Sequence, residues 1–450
     1  MSPRLPTGRI RRTAAVGGAL GAGGAAVAKA RLRGDDEAEA HLEAAERMVK
    51  TLGTLRGAAM KIAQLASFVD VDLLPDEYRA IYQDQLAALR DSAPPMEWSR
   101  VKEVLEEAWG EAPERVLEDL EHDARAAASI GQVHRGVLPD GRAVAVKVQY
   151  PDVARALAAD MQNAGLLMRM AKALAPGLDA KSAAAELKER VLEELDYELE
   201  AQKQRQFARA YRGHPFVVVP DVHTSLSAER VLVTEWVEDG IGFEEIRTTW
   251  SQEDKDRFGE VVFRFHLGSL HHIRHFNADA HPGNYLALGD GRVAFLDFGM
   301  TKHLDQAQID LEVLAIRAAL DDDPEGLRKA LDDIGYLRKA ERLDAELLMA
   351  HTRAVGGWYL EDTEVTIDAR RVMKAIAAIS DPRSKYAAIR RSQNLPADEL
   401  MGQRMLLGVL GVLGRLEATR NWCAIGREWW FGEEPATELG VAERAFFAGR

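Results

Sequence analysis

Four polar residues in a fixed order constrain this chain of 450 residues more than any other feature: Lys147, then Asp279 and Asn284, then Asp297. Lys147 ends the alternating run Ala143-Val144-Ala145-Val146-Lys147, which reads as a β-strand. Strand alternation puts it on the side of Ala143 and Ala145, whose small side chains leave room for a ligand. A lysine in a strand centre is costly to bury without a partner, so taken alone it reads as a surface lysine reaching water. Its downstream companions change that reading. Asp279 and Asn284 stand five positions apart in Asp279-Ala280-His281-Pro282-Gly283-Asn284, a loop between a helix and a short strand. There Asp279 can orient or deprotonate an acceptor, and Asn284 can coordinate a metal. Thirteen positions after Asn284, Asp297-Phe298-Gly299 ends an apolar strand. Its carboxylate offers Mg²⁺ a hard oxygen, and the glycine lets the chain turn away. A cation for phosphates, oxygen ligands for a metal and an acceptor-orienting group are the parts that phosphoryl transfer needs. The expected cofactors are therefore ATP (or ADP) and Mg²⁺.

Composition narrows the partners. The net charge of −14 argues against nucleic acid, which needs a basic face. The single cysteine, Cys423, excludes an intramolecular disulfide framework and a cysteine-rich zinc site, and fits a reducing, cytoplasmic setting. Basic residues gather at the start, with Arg4, Arg9, Arg11, Arg12, Lys29, Arg31 and Arg33 flanking a Gly/Ala-rich apolar stretch at 14–28. That stretch is shorter than the ~20 residues of a spanning helix, and its glycines weaken a helix. It reads as a tail, compatible with peripheral contact at an anionic membrane.

Along the chain, 1–45 is the basic, Gly/Ala-rich tail and 46–120 a helical extension, with helices read at 36–68, 76–90, 97–109 and 113–120. Segment 121–237 carries the strands: Ala126 to Val137 reads as strand, turn, strand, followed by a hairpin turn at Pro139-Asp140-Gly141-Arg142. Helices are expected over 152–174 and 181–211, and further strands at 217–222 and 231–237. Segment 238–450 is mostly helical, interrupted by a short hairpin at 285–288 and 293–296. The fold class is α+β.

These motifs resemble the UbiB/AarF family of atypical kinases over roughly residues 50–310. The small-residue loop is Ala126-Ala127-Ala128-Ser129 where ordinary protein kinases use glycines, which is the family's substitution. Gly131-Gln132-Val133 and Lys147-Val148-Gln149-Tyr150-Pro151 follow the family pattern too. The upstream Lys-x-Gly-Gln motif appears as Lys61-Ile62-Ala63-Gln64, with Ala63 in place of the glycine. The resemblance implies a protein-kinase-like, two-lobed fold with an N-terminal helical extension, an inserted helix in the small lobe and a helical C-terminal lobe. It implies that Glu194 and Asp196, of Glu194-Leu195-Asp196, meet Lys61 and Gln64 in a regulatory contact. It assigns Glu200 as the partner of Lys147, although charge alone does not choose among Glu193, Glu194, Glu198 and Glu200. The alanine loop would cover the phosphates. Thr234 would stand at the gatekeeper position, and Glu235 and Val237 would offer backbone groups to adenine. The family is tied to isoprenoid quinone and lipid metabolism, so a lipid or quinone-precursor ligand is implied by resemblance only.

Departures bear on the acceptor. Asn277-Ala278 replaces the usual His-Arg before Asp279, and about six residues separate Gly299 from a helix starting near Asp305. Neither a long activation segment nor an Ala-Pro-Glu anchor is visible, which disfavours a polypeptide substrate. Two other readings remain open. One is a phosphotransferase of the aminoglycoside or choline kinase type, whose Asp-x-His-x-x-Asn loop is also matched; the other is a non-catalytic, nucleotide-gated membrane scaffold. His266, His271, His272 and His275 read as one helix with ligand spacing at 271 and 275, but without a zinc signature. Trp422, Trp429 and Trp430 read as packing residues.

Overall fold

A computed structural model describes residues 96–128, 130–151, 153–154, 193, 195–380, 384–394 and 397–450. Lys61, Gln64, Ser129, Glu194, the N-terminal tail and most of the inserted helix lie outside the described residues. The described chain divides into two compact units. The first runs to Ala201 and includes Val222–Trp236; the second holds Gln202–Asp221 and Val237–Arg450.

The first unit begins with helix α1, Trp98–Trp109, which buries Val101, Val104 and Leu105 at helical spacing. Gly110, at φ +74°, ends it and donates its N–H to the Glu106 carbonyl. Helix α2, Pro113–Val116, is shorter than the helix expected over 113–120. Asp119–Leu120 instead form strand β1, paired with Val137 and Gly136. Leu117 and Leu120 close over Gly136, where a side chain would meet them at 3.1 and 3.3 Å. Sheet pairing therefore overrides local helix preference there. Strands β2 (Ala126–Ala127), β3 (Gly131–Val137) and β4 (Ala143–Gln149) follow. Val217–Val218 (β5) belongs to the second unit, and Val231–Glu235 (β6) completes the first. The sheet is antiparallel in the order β1-β3-β4-β6, with β2 against β3.

Alternation divides β4 by face. Val144, Val146 and Val148 are buried with Val231, Val233 and the apolar stripe of α1. Ala143, Ala145 and Lys147 are the half-buried residues of the other face. Lys147 pairs with Val133 on one side and Leu232 on the other. Helix α3, Tyr197–Tyr211, starts after a break in the helix expected over 181–211, of which 181–192 lie outside the described residues: Glu193 is helical, Leu195 lies in a turn and Asp196 outside helix. The physical reason is capping. The Asp196 carboxylate accepts from the N–H groups of Glu198 and Leu199 at 2.9 and 3.4 Å, and the Tyr197 N–H bonds the Glu229 carbonyl. The first turn of α3 packs Tyr197 and Ala201 on Ile130, Val153 and Leu232.

The second unit carries the sheet β5-β10-β9-β7, built with Ile241–Gly242 (β7), Tyr285–Ala287 (β9) and Val293–Phe295 (β10). A separate antiparallel ribbon joins His275–Asn277 (β8) to Thr301–His303 (β11). Strand β5 stops at Val218, short of the expected 217–222. Helices α4 (Phe243–Thr249) and α5 (Gln252–Phe263) lead through a π-turn at Arg264–Gly268 into α6 (Ser269–Ile273). Arg274, at φ +56°, ends α6, so His275 opens a strand and does not share a helix with His271. Pairing of His275–Asn277 with Thr301–His303 is what redirects the chain.

Eight helices complete the described chain: α7 (Gln306–Leu320), α8 (Pro324–Ile334), α9 (Ala345–Leu360), α10 (Ala369–Ser380), α11 (Ala387–Ser392), α12 (Ala397–Leu416), α13 (Trp422–Trp430) and α14 (Glu438–Ala448). The core gathers Phe207, Phe263, Phe265, Phe295, Phe298, Leu413 and Trp422. Trp430 is buried as well, and Trp429 packs at the edge of this core. Among the described residues, no helix is long and apolar enough to cross a membrane.

Candidate active site

In the first unit, Lys147 donates to both carboxylate oxygens of Glu200, at 2.7 and 2.9 Å. The pair is largely buried, with 14% and 7% of the two side chains exposed. Lys147 also lies 4.9 Å from the centre of the Tyr197 ring. Glu200 reaches it because α3 is pinned at its start. The Gln149 side chain donates to the Leu195 carbonyl at 3.0 Å, tying β4 to the turn before the helix. Of the four glutamates the sequence left open, Glu200 is joined to Lys147 here, while Glu194 lies outside the described residues.

The alanine loop begins as β2, where Ala126 and Ala127 are exposed and pair with Val133 and Gln132. The Ala128 N–H bonds the Gly131 carbonyl at 2.9 Å. Gly131 has no room for a side chain: a Cβ would stand 2.3 Å from the Val148 carbonyl oxygen. Glu235 is the exposed last residue of β6, opposite Val144, and Val237 belongs to the second unit. Asp196 caps α3, as described above.

In the second unit, Asn277 joins the two downstream motifs. Its side-chain amide donates to the Asp297 carbonyl at 2.7 Å, and its side-chain oxygen accepts from the Asp279 N–H at 2.8 Å. Asn284 donates through Nδ2 to Asp279 Oδ2 at 2.9 Å and to the Asp279 carbonyl at 3.3 Å. With the amide nitrogen so engaged, the carbonyl oxygen is the Asn284 atom left to face a metal. The Asp297 carboxylate accepts from the Gly299 N–H at 2.9 Å, and Lys203 donates to the Gly299 carbonyl at 3.0 Å. Phe298 is fully buried, its ring 5.1 Å from that of Phe207. A side-chain amide oxygen such as that of Asn284 and a carboxylate such as that of Asp297 are hard oxygen donors, the kind that Mg²⁺ takes.

Two supporting residues carried no signal of this role in the sequence. His266, read above with a helical histidine group, donates through Nδ1 to the Asn277 carbonyl at 2.8 Å and accepts at Nε2 from the Tyr285 hydroxyl at 2.9 Å. The carbonyl can only accept, which fixes the tautomer. Burial pushes this imidazole down to about 4, so it is neutral. Arg404 of α12 donates to the Ala278 carbonyl at 3.2 Å and to Asp279 Oδ1. It stands 125 residues downstream of Asp279, a separation no local motif spans.

The family model for the ABC1 atypical kinase-like domain matches residues 88–331. The chain is 31% identical over 412 residues to the atypical kinase COQ8B, mitochondrial, of Rattus norvegicus, covering 86% of this chain and 76% of that protein. It is 33% identical over 365 residues to the protein of the same name from Danio rerio, covering 78% of this chain but 57% of that protein. Among solved structures, the Rv3197–erythromycin complex from Mycobacterium tuberculosis is similar with a TM-score of 0.63 and 30% identity, over 87% of this chain and 97% of that one.

Proposed function

The chain belongs to the ABC1 atypical kinase-like family, the UbiB/AarF group, and from that premise we propose that it binds Mg·ATP and transfers or hydrolyses the terminal phosphoryl group. The observation that carries this reading is the buried Lys147–Glu200 pair on an otherwise alanine face of the sheet. Its role is to hold a fixed cation for phosphates where small neighbours admit a nucleotide. Asn284 and Asp297 hold Mg²⁺, which supplies charge neutralisation on the phosphates when bound. Asp279 orients the acceptor hydroxyl or a water. The Ala126–Ser129 loop is assigned to the phosphates, and the backbone groups of Glu235 and Val237 to the base. Lys61 and Gln64, with Glu194 and Asp196, regulate access.

The acceptor is a small or lipid-like molecule. After Gly299 the chain enters β11 at Thr301, and α7 starts at Gln306 behind an Asp305 capping box. That leaves little segment on which a polypeptide could dock. An isoprenoid-quinone precursor at a membrane surface follows from the family resemblance. Erythromycin, the ligand named for the similar mycobacterial structure, is a second candidate for binding.

The test is thermal unfolding with and without Mg·ATP, beside Asp297→Asn. Ligand at a hundred times its dissociation constant stabilises by about 2.7 kcal/mol. A magnesium-dependent rise that the variant loses is the expected result. ADP release is then followed with anionic vesicles, soluble alcohols and erythromycin in turn; stimulation by an alcohol alone would favour the aminoglycoside or choline kinase reading. Nucleotide binding without turnover under every condition would leave the scaffold reading.

A further inference from the structure

Helix α12 lies beyond residue 331, where the family match ends. It nevertheless reaches the Asp279 loop of its own unit at two adjacent turns. Arg404 bonds the Ala278 carbonyl at 3.2 Å and Asp279 Oδ1, with 16% of its side chain exposed. One turn on, Gly408 lies so close that a Cβ there would stand 2.8 Å from the Ala280 carbonyl oxygen. The helix is therefore seated on residues 278–280 by an ionic contact and a close backbone approach. Asp279 Oδ2 in turn takes the amide of Asn284 at 2.9 Å. Both carboxylate oxygens are held, one from α12 and one from the metal-binding candidate.

We propose that Arg404 is a positioning residue for the metal site: by fixing Asp279 it fixes the Asn284 amide, and so aims the Asn284 carbonyl oxygen at Mg²⁺. This rests on the Mg·ATP reading above. A guanidinium suits the task because its planar fork meets the Ala278 carbonyl and the Asp279 carboxylate from one rigid group, which a lysine ammonium on a flexible stem does not. Without it, Asp279 Oδ1 loses the guanidinium that holds it from α12, the carboxylate is less firmly oriented, and Asn284 loses part of the orientation of the partner that sets its own. Misplacement of a ligand by about 1 Å can cost on the order of a hundredfold in rate.

The experiment uses the full chain with Arg404→Ala and Arg404→Lys. Arg415→Ala is the control on the same helix, because Arg415 lies half exposed beside Glu244. Magnesium is titrated against nucleotide binding by calorimetry, and ADP release gives turnover. For Arg404→Ala the expected result is metal-free nucleotide affinity within about twofold of the parent, a magnesium requirement raised roughly tenfold, and turnover lowered about 10–100-fold. Added guanidinium ion restores part of the loss, Arg404→Lys lies between, and Arg415→Ala matches the parent. An unchanged magnesium requirement in Arg404→Ala overturns the proposal, even if stability falls, because a purely structural role would show that pattern. The underlying reading fails separately and visibly, as a parent protein that binds no nucleotide at any magnesium level; that result overturns both.

Discussion

Lys147 occupies a largely buried strand position, and the Glu200 carboxylate answers its charge there. Removing one member of such a pair leaves the other desolvated and uncompensated, a loss of about 3 kcal/mol or more. Glu200→Gln is therefore expected to lower the urea midpoint of the apo protein clearly. A midpoint equal to the parent's would mean that Lys147 reaches water and that the pair is not buried in solution. The choice of Glu200 among four nearby acids was not available from charge pattern. It follows from where α3 starts, and that start is set by the Asp196 cap and by Gln149 holding the Leu195 carbonyl. Local chemistry in the sequence supplied the candidates, and the helix phase selected one.

At the scale of elements, the β3–β4 hairpin pairs seven residues of each strand and carries Lys147 on the second. Its turn is closed by Gly141 at φ +84°, with Asp140 accepting from the Arg142 N–H at 3.1 Å. Two of the three glycines of this hairpin, Gly131 and Gly141, do different work. Gly141→Ala meets open space and suffers only the left-handed backbone, at about 1 kcal/mol. Gly131→Ala must push a methyl group against the Val148 carbonyl, 2.3 Å away, and opens the very strand that carries Lys147. It is expected to cost more than Gly141→Ala, by about 1–3 kcal/mol, and to weaken nucleotide binding as well. Denaturant midpoints of the two variants, measured side by side, decide the order; equal losses would contradict the close approach.

Across the second unit, burial has collected ionisable groups that constrain its pH range. Arg264 is fully buried and bonds Glu260, Glu428 and Glu443, so that α5, α13 and α14 meet on one guanidinium. Burial works against its charge, but the Glu428 hydrogen bond and the carboxylates outweigh it and keep Arg264 protonated. His214, His266, His271 and His351 are each pushed down to about 4, in every case mainly by burial. In the unfolded chain they titrate near 6.5. Between about 6.5 and 4 the unfolded state therefore binds more protons, and stability falls as pH drops through that window. The slope approaches about 1.4 kcal/mol per pH unit for each histidine. Urea midpoints should be flat from pH 8 to 7 and decline steeply from pH 6 to 5. A flat profile through pH 5 would show that these imidazoles accept protons in the folded state.

By itself the sequence determined the strand that carries Lys147, the loop that carries Asp279 and Asn284, and the Asp297-Phe298-Gly299 turn. Each depends on short-range rules, strand alternation, turn residues and motif spacing, which act within a few residues. The kinase-like character was legible through the resemblance that these motifs, taken in order, bear to the family, which the family match over residues 88–331 supports. Tertiary structure decided what local rules do not reach. It turned 119–120 into a strand because Val137 and Gly136 were there to pair with it, and sent His275 into a ribbon with Thr301–His303. It interrupted the long acidic helix at Leu195 and Asp196, and it brought Arg404 and His266 onto the Asp279 loop and its Asn277 carbonyl. Those contacts join residues as much as 126 positions apart, and only close packing of α12 on the loop, at Gly408 against Ala280, brings such residues within bonding distance.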